Sequence, residues 1–210
     1  KTISYGSTSA MQQVCLQIGK TIIQAVVNTQ GVSVMAAFTA VNRVDDFAYI
    51  PQQNIGHAMT TFIAQNKGAG KKERIRRGFQ SGIGIELVYG LILLVLMYFG
   101  AEKIMGLFTS QEDAQVVALG RSYLHLVSWM YILPAITNGI QGFFRGMGDL
   151  KVTLYSTFMN MAGRVLAVIV MFLVFHLGFV SLAWANLIGW IVMLLFEIPL
   201  LMRQLKELRK

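Results

Sequence analysis

Charge is what this sequence has least of. Only 13% of its 210 residues are Asp, Glu, Lys or Arg, where a soluble domain carries about a quarter. Three prolines leave few places at which a helix is forced to bend or stop. The single cysteine, Cys15, excludes an intrachain disulfide and, lying in an apolar stretch, reads as a small packing residue. His57, His125 and His176 are dispersed along the chain, so no metal-ligand spacing exists. Neither a GxSxG turn nor a Walker loop is present. Gly68-Ala69-Gly70-Lys71-Lys72 looks superficially like a phosphate loop, but no strand precedes it. An enzyme is not expected, and neither is a cofactor or a bound metal. No low-complexity segment, soluble domain or internal repeat stands out.

What the sequence has is long apolar runs. Hydrophobic residues make up 55% of the chain and mean hydropathy is +0.56. Apolar runs of about 20 residues span a bilayer as helices, and their length without strict alternation argues against a barrel. Six helices are predicted, over 4–29, 32–67, 71–100, 113–145, 150–176 and 179–205. They form an all-α membrane protein, a single six-helix bundle over 1–210. Pro51 and Pro134 predict kinks in the second and fourth helices, the first leaving the Phe47 carbonyl without its partner. Between the third and fourth, 101–112 reads as a loop with an interfacial apolar patch, Ile104-Met105-Gly106-Leu107-Phe108.

The charges that remain are sorted by side. The net charge is +8, yet nucleic acid is not the expected partner, because the cations gather at the ends of apolar runs. The densest cluster is the turn Lys67 to Arg77, holding Lys71, Lys72, Arg74 and Arg76 as well. Cationic turns stay in the cytoplasm. With that turn inside, thirteen of the 18 Lys and Arg fall in inner segments, Lys103 alone falls in an outer loop, and Lys20, Arg43, Arg121 and Arg164 lie within spans. The expected topology is a multi-pass plasma-membrane protein with both chain ends cytoplasmic. The sequence begins at Lys1 with no signal-peptide pattern, so it is expected to continue upstream.

Polar residues at membrane depth are functional hypotheses by default. In the first helix Gln13, Gln17, Lys20 and Gln24 share one face at helical spacing. The second carries Asn42, Arg43, Asp45, Asp46, Gln53 and His57. Glu86 stands alone in the third; Asn138 and Gln141 lie in the fourth and Arg164 in the fifth. Taken singly, each reads as interhelical glue, with Arg43 paired to an aspartate and Glu86 to Arg164. Taken together, they predict a watery cavity between helices. Adjacent aspartates leave a helix about 100° apart, so only one of Asp45 and Asp46 is expected to face that cavity.

Two stretches, 61–74 (Thr61-Phe62-Ile63-Ala64-Gln65-Asn66-Lys67-Gly68-Ala69-Gly70-Lys71-Lys72-Glu73-Arg74) and 142–149 (Gly142-Phe143-Phe144-Arg145-Gly146-Met147-Gly148-Asp149), together resemble the multidrug and toxic compound extrusion (MATE) family. Ala36-Ala37-Phe38-Thr39-Ala40 also fits. The resemblance extends over essentially the whole chain. It implies the C-terminal six-helix lobe of a twelve-helix transporter that exchanges H⁺ or Na⁺ for organic cations or amphipathic drugs, with an N-terminal lobe, the bilayer and a small-molecule drug as partners. The motif residues Gln65, Asn66, Gly68, Gly70, Arg74, Arg145, Gly146, Gly148 and Asp149 sit at cytoplasmic junctions, where they fix geometry; Asp149 is placed to cap the fifth helix. Some family members hold a cation through carboxylates on the first and fourth helices of this lobe. The matching positions here, near Leu16/Gln17 and Pro134, are not acidic. A lipid-linked oligosaccharide flippase of the same superfamily, which would use Lys20, Arg43, Arg121 and Arg164, and a non-transporting scaffold subunit are the alternatives.

Overall fold

The computed structural model describes residues 2–108 and 114–209. Six long helical segments account for them: α1 (Thr2–Asn28), α2 (Val32–Gly68), α3 (Lys72–Phe108), α4 (Ala114–Ser128) running through a 3₁₀ turn at Trp129–Tyr131 into α5 (Ile132–Gly146), α6 (Leu150–Ile169) widening into a π turn at Val170–Val174, and α7 (Ser181–Arg209). Four stretches are long and apolar enough to cross a membrane on composition alone: Lys72–Phe108, Ala114–Gly146, Leu150–Phe172 and Ser181–Leu208. α1 and α2, of 27 and 37 residues, are as long but carry the polar face.

α5 is the axis of the bundle. Buried residues surround it, from Pro134 and Ala135 through Gly139–Phe144 to Gly146. α2 and α3 pack on it, α6 and α7 lie behind, and α1 leans on α6 and touches α2 little. Lipid tails are as apolar as leucine, so close backbone approach rather than water exclusion holds such helices together. The α2–α5 crossing shows it: a Cβ on Gly142 would stand 2.6 Å from the Gly56 carbonyl oxygen. The outer face carries the apolar surface that lipid requires, with Phe99, Leu107 and Leu195 each more than 70% exposed.

The two glycine motifs are built alike, although the sequence suggested no internal repeat. In the first, Ala69 N–H donates to the Gln65 carbonyl, Gly70 to Lys67 and Lys71 to Asn66; in the second, Met147 donates to Phe143, Gly148 to Arg145 and Asp149 to Phe144. Each turn needs one left-handed residue, supplied by Gly70 (φ +69) and Gly148 (φ +78). The Lys67 ammonium donates to the Met147 carbonyl and ties the turns together. The cap expected of Asp149 does not form. It occupies the N-cap position of α6 without a side-chain hydrogen bond, because its φ, ψ of −98°, 67° serve the turn through its backbone N–H.

Other expectations also need correction. The predicted loop over 101–112 is helical through Phe108, its remainder lying outside the described residues. Gly100, Glu102 and Lys103 resemble a helix end, but Ala101 and Met105 are fully buried in the core and hold the helix in register, while Glu102 pairs with Arg121 at 3.0 Å. Arg121 is thereby placed on the surface, away from the other intramembrane cations. α2 runs on through Pro51 as one helix, and beside it the Tyr89 hydroxyl donates to the Ala48 carbonyl at 3.3 Å. Pro134 falls in the first turn of α5, where a missing N–H is tolerated, and the break precedes it as the 3₁₀ turn.

Candidate functional site

Because α1 rests on α6 and α2 on α5, a groove runs between α1 and α2, floored by α5 and α6. It holds two cavities. The upper, of about 330 Å³, is lined by Lys20, Thr21, Ile23 and Gln24 of α1, Phe38 and Asn42 of α2, and Arg164 of α6. The lower, of about 400 Å³, lies beside the glycine motifs and is lined by Ser9, Gln12, Gln13, His57, Thr60, Arg145, Gly148 and Leu150. Between them the Lys20 ammonium reaches across to Asp46, at 3.7 Å.

Asp45 sits behind this rim, only 7% exposed, and accepts a 2.6 Å hydrogen bond from the Tyr131 hydroxyl. Arg164 and Lys20 are the cations whose field acts on it. The Tyr131 ring packs on Tyr49, with centroids 5.6 Å apart, and Tyr49 on Trp190, so the phenol is fixed by aromatic contacts. The 3₁₀ turn puts Tyr131 in that place and leaves its carbonyl to the Gln52 amide, at 3.3 Å. The Arg164 Nε is buried without a hydrogen-bond partner.

Not every residue singled out in the sequence joins this site. Lys20, Gln24, Asn42 and Arg164 line the upper cavity, and Asp45 and Asp46 flank it. Gln17, Arg43 and Gln53 are exposed and line neither cavity. The ion pair expected of Arg43 is made by Lys20 instead, since Asp46 rather than Asp45 points outward. Glu86 does not meet Arg164. It is fully buried between α3 and α5, with Gly139 beside it, because its position on α3 faces α5 and not α6. Asn138, half-buried, meets α2 through its carbonyl, 3.1 Å from where a Gly56 Cβ would stand.

Gln141 belongs to a second polar group. The Gln12 amide donates to Thr157 Oγ1 (2.8 Å) and Gln141 Oε1 (3.4 Å), and the Gln141 amide donates to Ser156 (3.4 Å) and Thr157 (3.3 Å). Glu197 of α7, fully buried, adjoins Ser156, Gln141 and Arg145. The sequence reading overlooked Glu197 and Tyr131. Glu197 had the same signal as Glu86, a carboxylate inside an apolar run, Leu194-Leu195-Phe196-Glu197-Ile198. Tyr131 had none, since nothing in sequence relates it to Asp45. Among the described residues no group of three or more His, Cys, Asp or Glu could hold a metal.

A bundle of long helices with an apolar outside and a charged, cavity-bearing groove on one face is a polytopic membrane protein. The MatE family model matches residues 9–166; the chain belongs to this family, the one its glycine motifs resemble. Among curated relatives, it is 24% identical over 145 residues to the probable multidrug resistance protein YoeA of Bacillus subtilis, covering 69% of this chain and 31% of that protein. To the probable multidrug resistance protein NorM of Rhizobium meliloti it is 28% identical over 174 residues, 79% of this chain and 36% of that protein. The chain thus spans about a third of the curated relatives it matches. Among solved structures, a MOP superfamily transporter from Pyrococcus furiosus superposes with a TM-score of 0.89 at 16% identity, over 97% of this chain and 44% of that one. An outward-facing multidrug resistance MATE family transporter gives 0.83 at 17%, over 89% and 41%. These likenesses show the fold.

Proposed function

We propose that the chain forms one lobe of a secondary active exporter of organic cations or amphipathic drugs, in exchange for H⁺ or Na⁺, with a second six-helix lobe as its partner. The observation that carries this is the groove between α1 and α2, where charged residues line cavities on a bundle otherwise clothed in apolar side chains. Substrate sites of repeat-built transporters lie at the interface of two halves, and an open polar face is what such an interface needs. Asp45 is the anion placed to attract a cationic drug through the upper cavity. The glycine-motif end is cytoplasmic in this reading, with both chain ends, and the membrane is the plasma membrane. The test is dye efflux from proteoliposomes holding the full-length protein, under imposed H⁺ and Na⁺ gradients. Gradient-driven efflux lost in Asp45→Asn supports the reading, and efflux untouched by Asp45→Asn removes the groove from the pathway.

One observation favours a second reading. The upper cavity is lined by two cations, Lys20 and Arg164, and no acidic side chain, and the Arg164 Nε is unsatisfied. That chemistry suits an anionic headgroup such as the pyrophosphate of a lipid-linked saccharide. Movement of a lipid-linked saccharide across the vesicle bilayer, with no dye efflux, decides for it.

A further inference from the structure

Two carboxyl groups, Glu86 and Glu197, lie fully buried inside the bundle, and they differ in what surrounds them. Beside Glu86 on α3 stand Gly139 of α5 and the Ile83 side chain. Glu197 on α7 is equally buried, but Gln141 and Ser156 face it and the charge of Arg145 acts on it. Gln12 closes on Gln141 and Thr157 from α1. Gln12 and Arg145 also line the lower cavity of about 400 Å³, which is polar and large enough to hold water. One layer of side chains therefore separates Glu197 from that cavity.

We propose that Glu197 is an exchangeable proton site of this lobe, which carries its proton as a neutral carboxylic acid and releases it into the lower cavity past Gln12 and Arg145. The proposal rests on reading the chain as part of an ion-coupled exporter and names where that coupling resides. The ligand set selects a proton over Na⁺. There is one carboxylate and a few neutral oxygens, with a guanidinium beside them, and a metal cation would be short of oxygens and repelled by Arg145. As the neutral acid, Glu197 has an O–H to donate to the Ser156 Oγ beside it. On release that O–H bond breaks, the proton passes to water in the cavity, and the carboxylate left behind is compensated by Arg145.

Among the described residues the other elements packed on α7 bring no second charge to this point. α6 presents neutral Ser156, and its Arg164 meets α7 two turns away, against Gly189. The apolar cluster that Leu194, Leu200 and Leu201 of α7 join takes Ile75 and Phe79 from α3. α4 meets α7 through Tyr123 and Asn186, towards its other end. On α7 itself Arg203 is exposed and pairs with Glu207. Glu86 serves as the control, a buried carboxyl that lines neither of these cavities and makes no ion pair among the described residues.

The test is infrared difference spectroscopy of the full-length purified transporter as pH is raised, alongside proton-driven dye efflux in proteoliposomes. A protonated-carboxyl band that fades as pH is raised in wild type and is absent from Glu197→Gln, with the fading component unchanged in Glu86→Gln, supports the site. Efflux driven by a pH gradient should fall at least about tenfold in Glu197→Gln, while downhill dye exchange persists. A fading band that survives in Glu197→Gln, or gradient-driven efflux at the wild-type rate, overturns it. Should Glu197→Gln fail to insert, Arg145→Gln keeps the carboxyl, and the fading must then move to higher pH; no movement overturns the proposal. A wild-type protein that shows the titrating band but exports no dye keeps the proton site and sinks the exporter reading.

Discussion

A helix turns about 100° per residue, so Asp45 and Asp46 leave α2 in different directions and meet different chemistry. Asp46 is exposed and reaches Lys20 at 3.7 Å. Such exposed pairs contribute between about 0 and 1 kcal/mol, so Asp46→Asn should leave both stability and efflux near wild type. Asp45 is buried and holds the Tyr131 hydroxyl. Asp45→Asn keeps an acceptor for that hydroxyl but removes the charge, so the full-length transporter should still assemble while cationic-dye efflux falls by about tenfold or more, equivalent to about 1.4 kcal/mol. Equal efflux in the two variants would contradict the assignment. On the surface turn, Arg76 and Arg77 hydrogen-bond Glu73 and hold its carboxyl down, from an ordinary 4.5 to about 2. Because the folded value lies below the unfolded one, whatever stability the pair contributes is present above about pH 4.5 and lost as pH falls towards 2. A carboxyl-carbon NMR titration of Glu73 should show the low midpoint, and Arg76→Gln should raise it. At this scale the sequence was legible where helical spacing decides direction, as for the Lys20 face and the split aspartates. It was silent on Tyr131, whose role depends on two helices meeting, and it misled at Arg43 and Glu86, where a nearby opposite charge was no guide to which face each side chain leaves from.

Element lengths follow from the apolar runs, and the observed helices start and stop within a few residues of the predicted ones wherever a glycine turn or a charged flank marks the end. The exception is α3, whose last two turns look like loop because Gly100, Glu102 and Lys103 interrupt the run. What extends the helix is tertiary: Met105 fills the space above Gly120, where an added Cβ would come within 2.1 Å of it. The crossing of α2 and α5 gives a sharper case. Gly142→Ala would drive a methyl to 2.6 Å from the Gly56 oxygen, against backbone that cannot swing aside. Overpacking of this kind costs about 1–3 kcal/mol, so the melting temperature in detergent should fall by several degrees. Gly84→Ala on α3, with nothing within 4 Å, should not lower it. Equal melting temperatures for the two variants would show that the crossing is looser than its geometry.

For the whole molecule, sidedness is the first thing to establish. With the glycine-motif end inside, a cysteine placed at Lys103 or His176 of the full-length protein should react with an impermeant maleimide in intact cells. One placed at Lys72 or Lys151 should be protected until the cells are opened. Reaction at Lys72 from outside would invert the arrangement. Charge alone predicts this sidedness, because loops sort by Lys and Arg count; the polar residues predict a cavity as well, but which helices bound it depends on where each glycine allows close approach. One contact at the glycine-motif end governs how such a lobe can flex. The Lys67 ammonium on the Met147 carbonyl staples the α2–α3 turn to the α5–α6 turn, so four helix ends share one rigid plate. Any bending must then be taken up away from that plate, where the regular hydrogen-bond ladder is already interrupted: at the 3₁₀ turn 129–131, which carries Tyr131, and at the π turn 170–174. Such a bundle is mechanically a pair of tongs, riveted at one end, and one of the two interruptions beyond the rivet carries the phenol that holds Asp45.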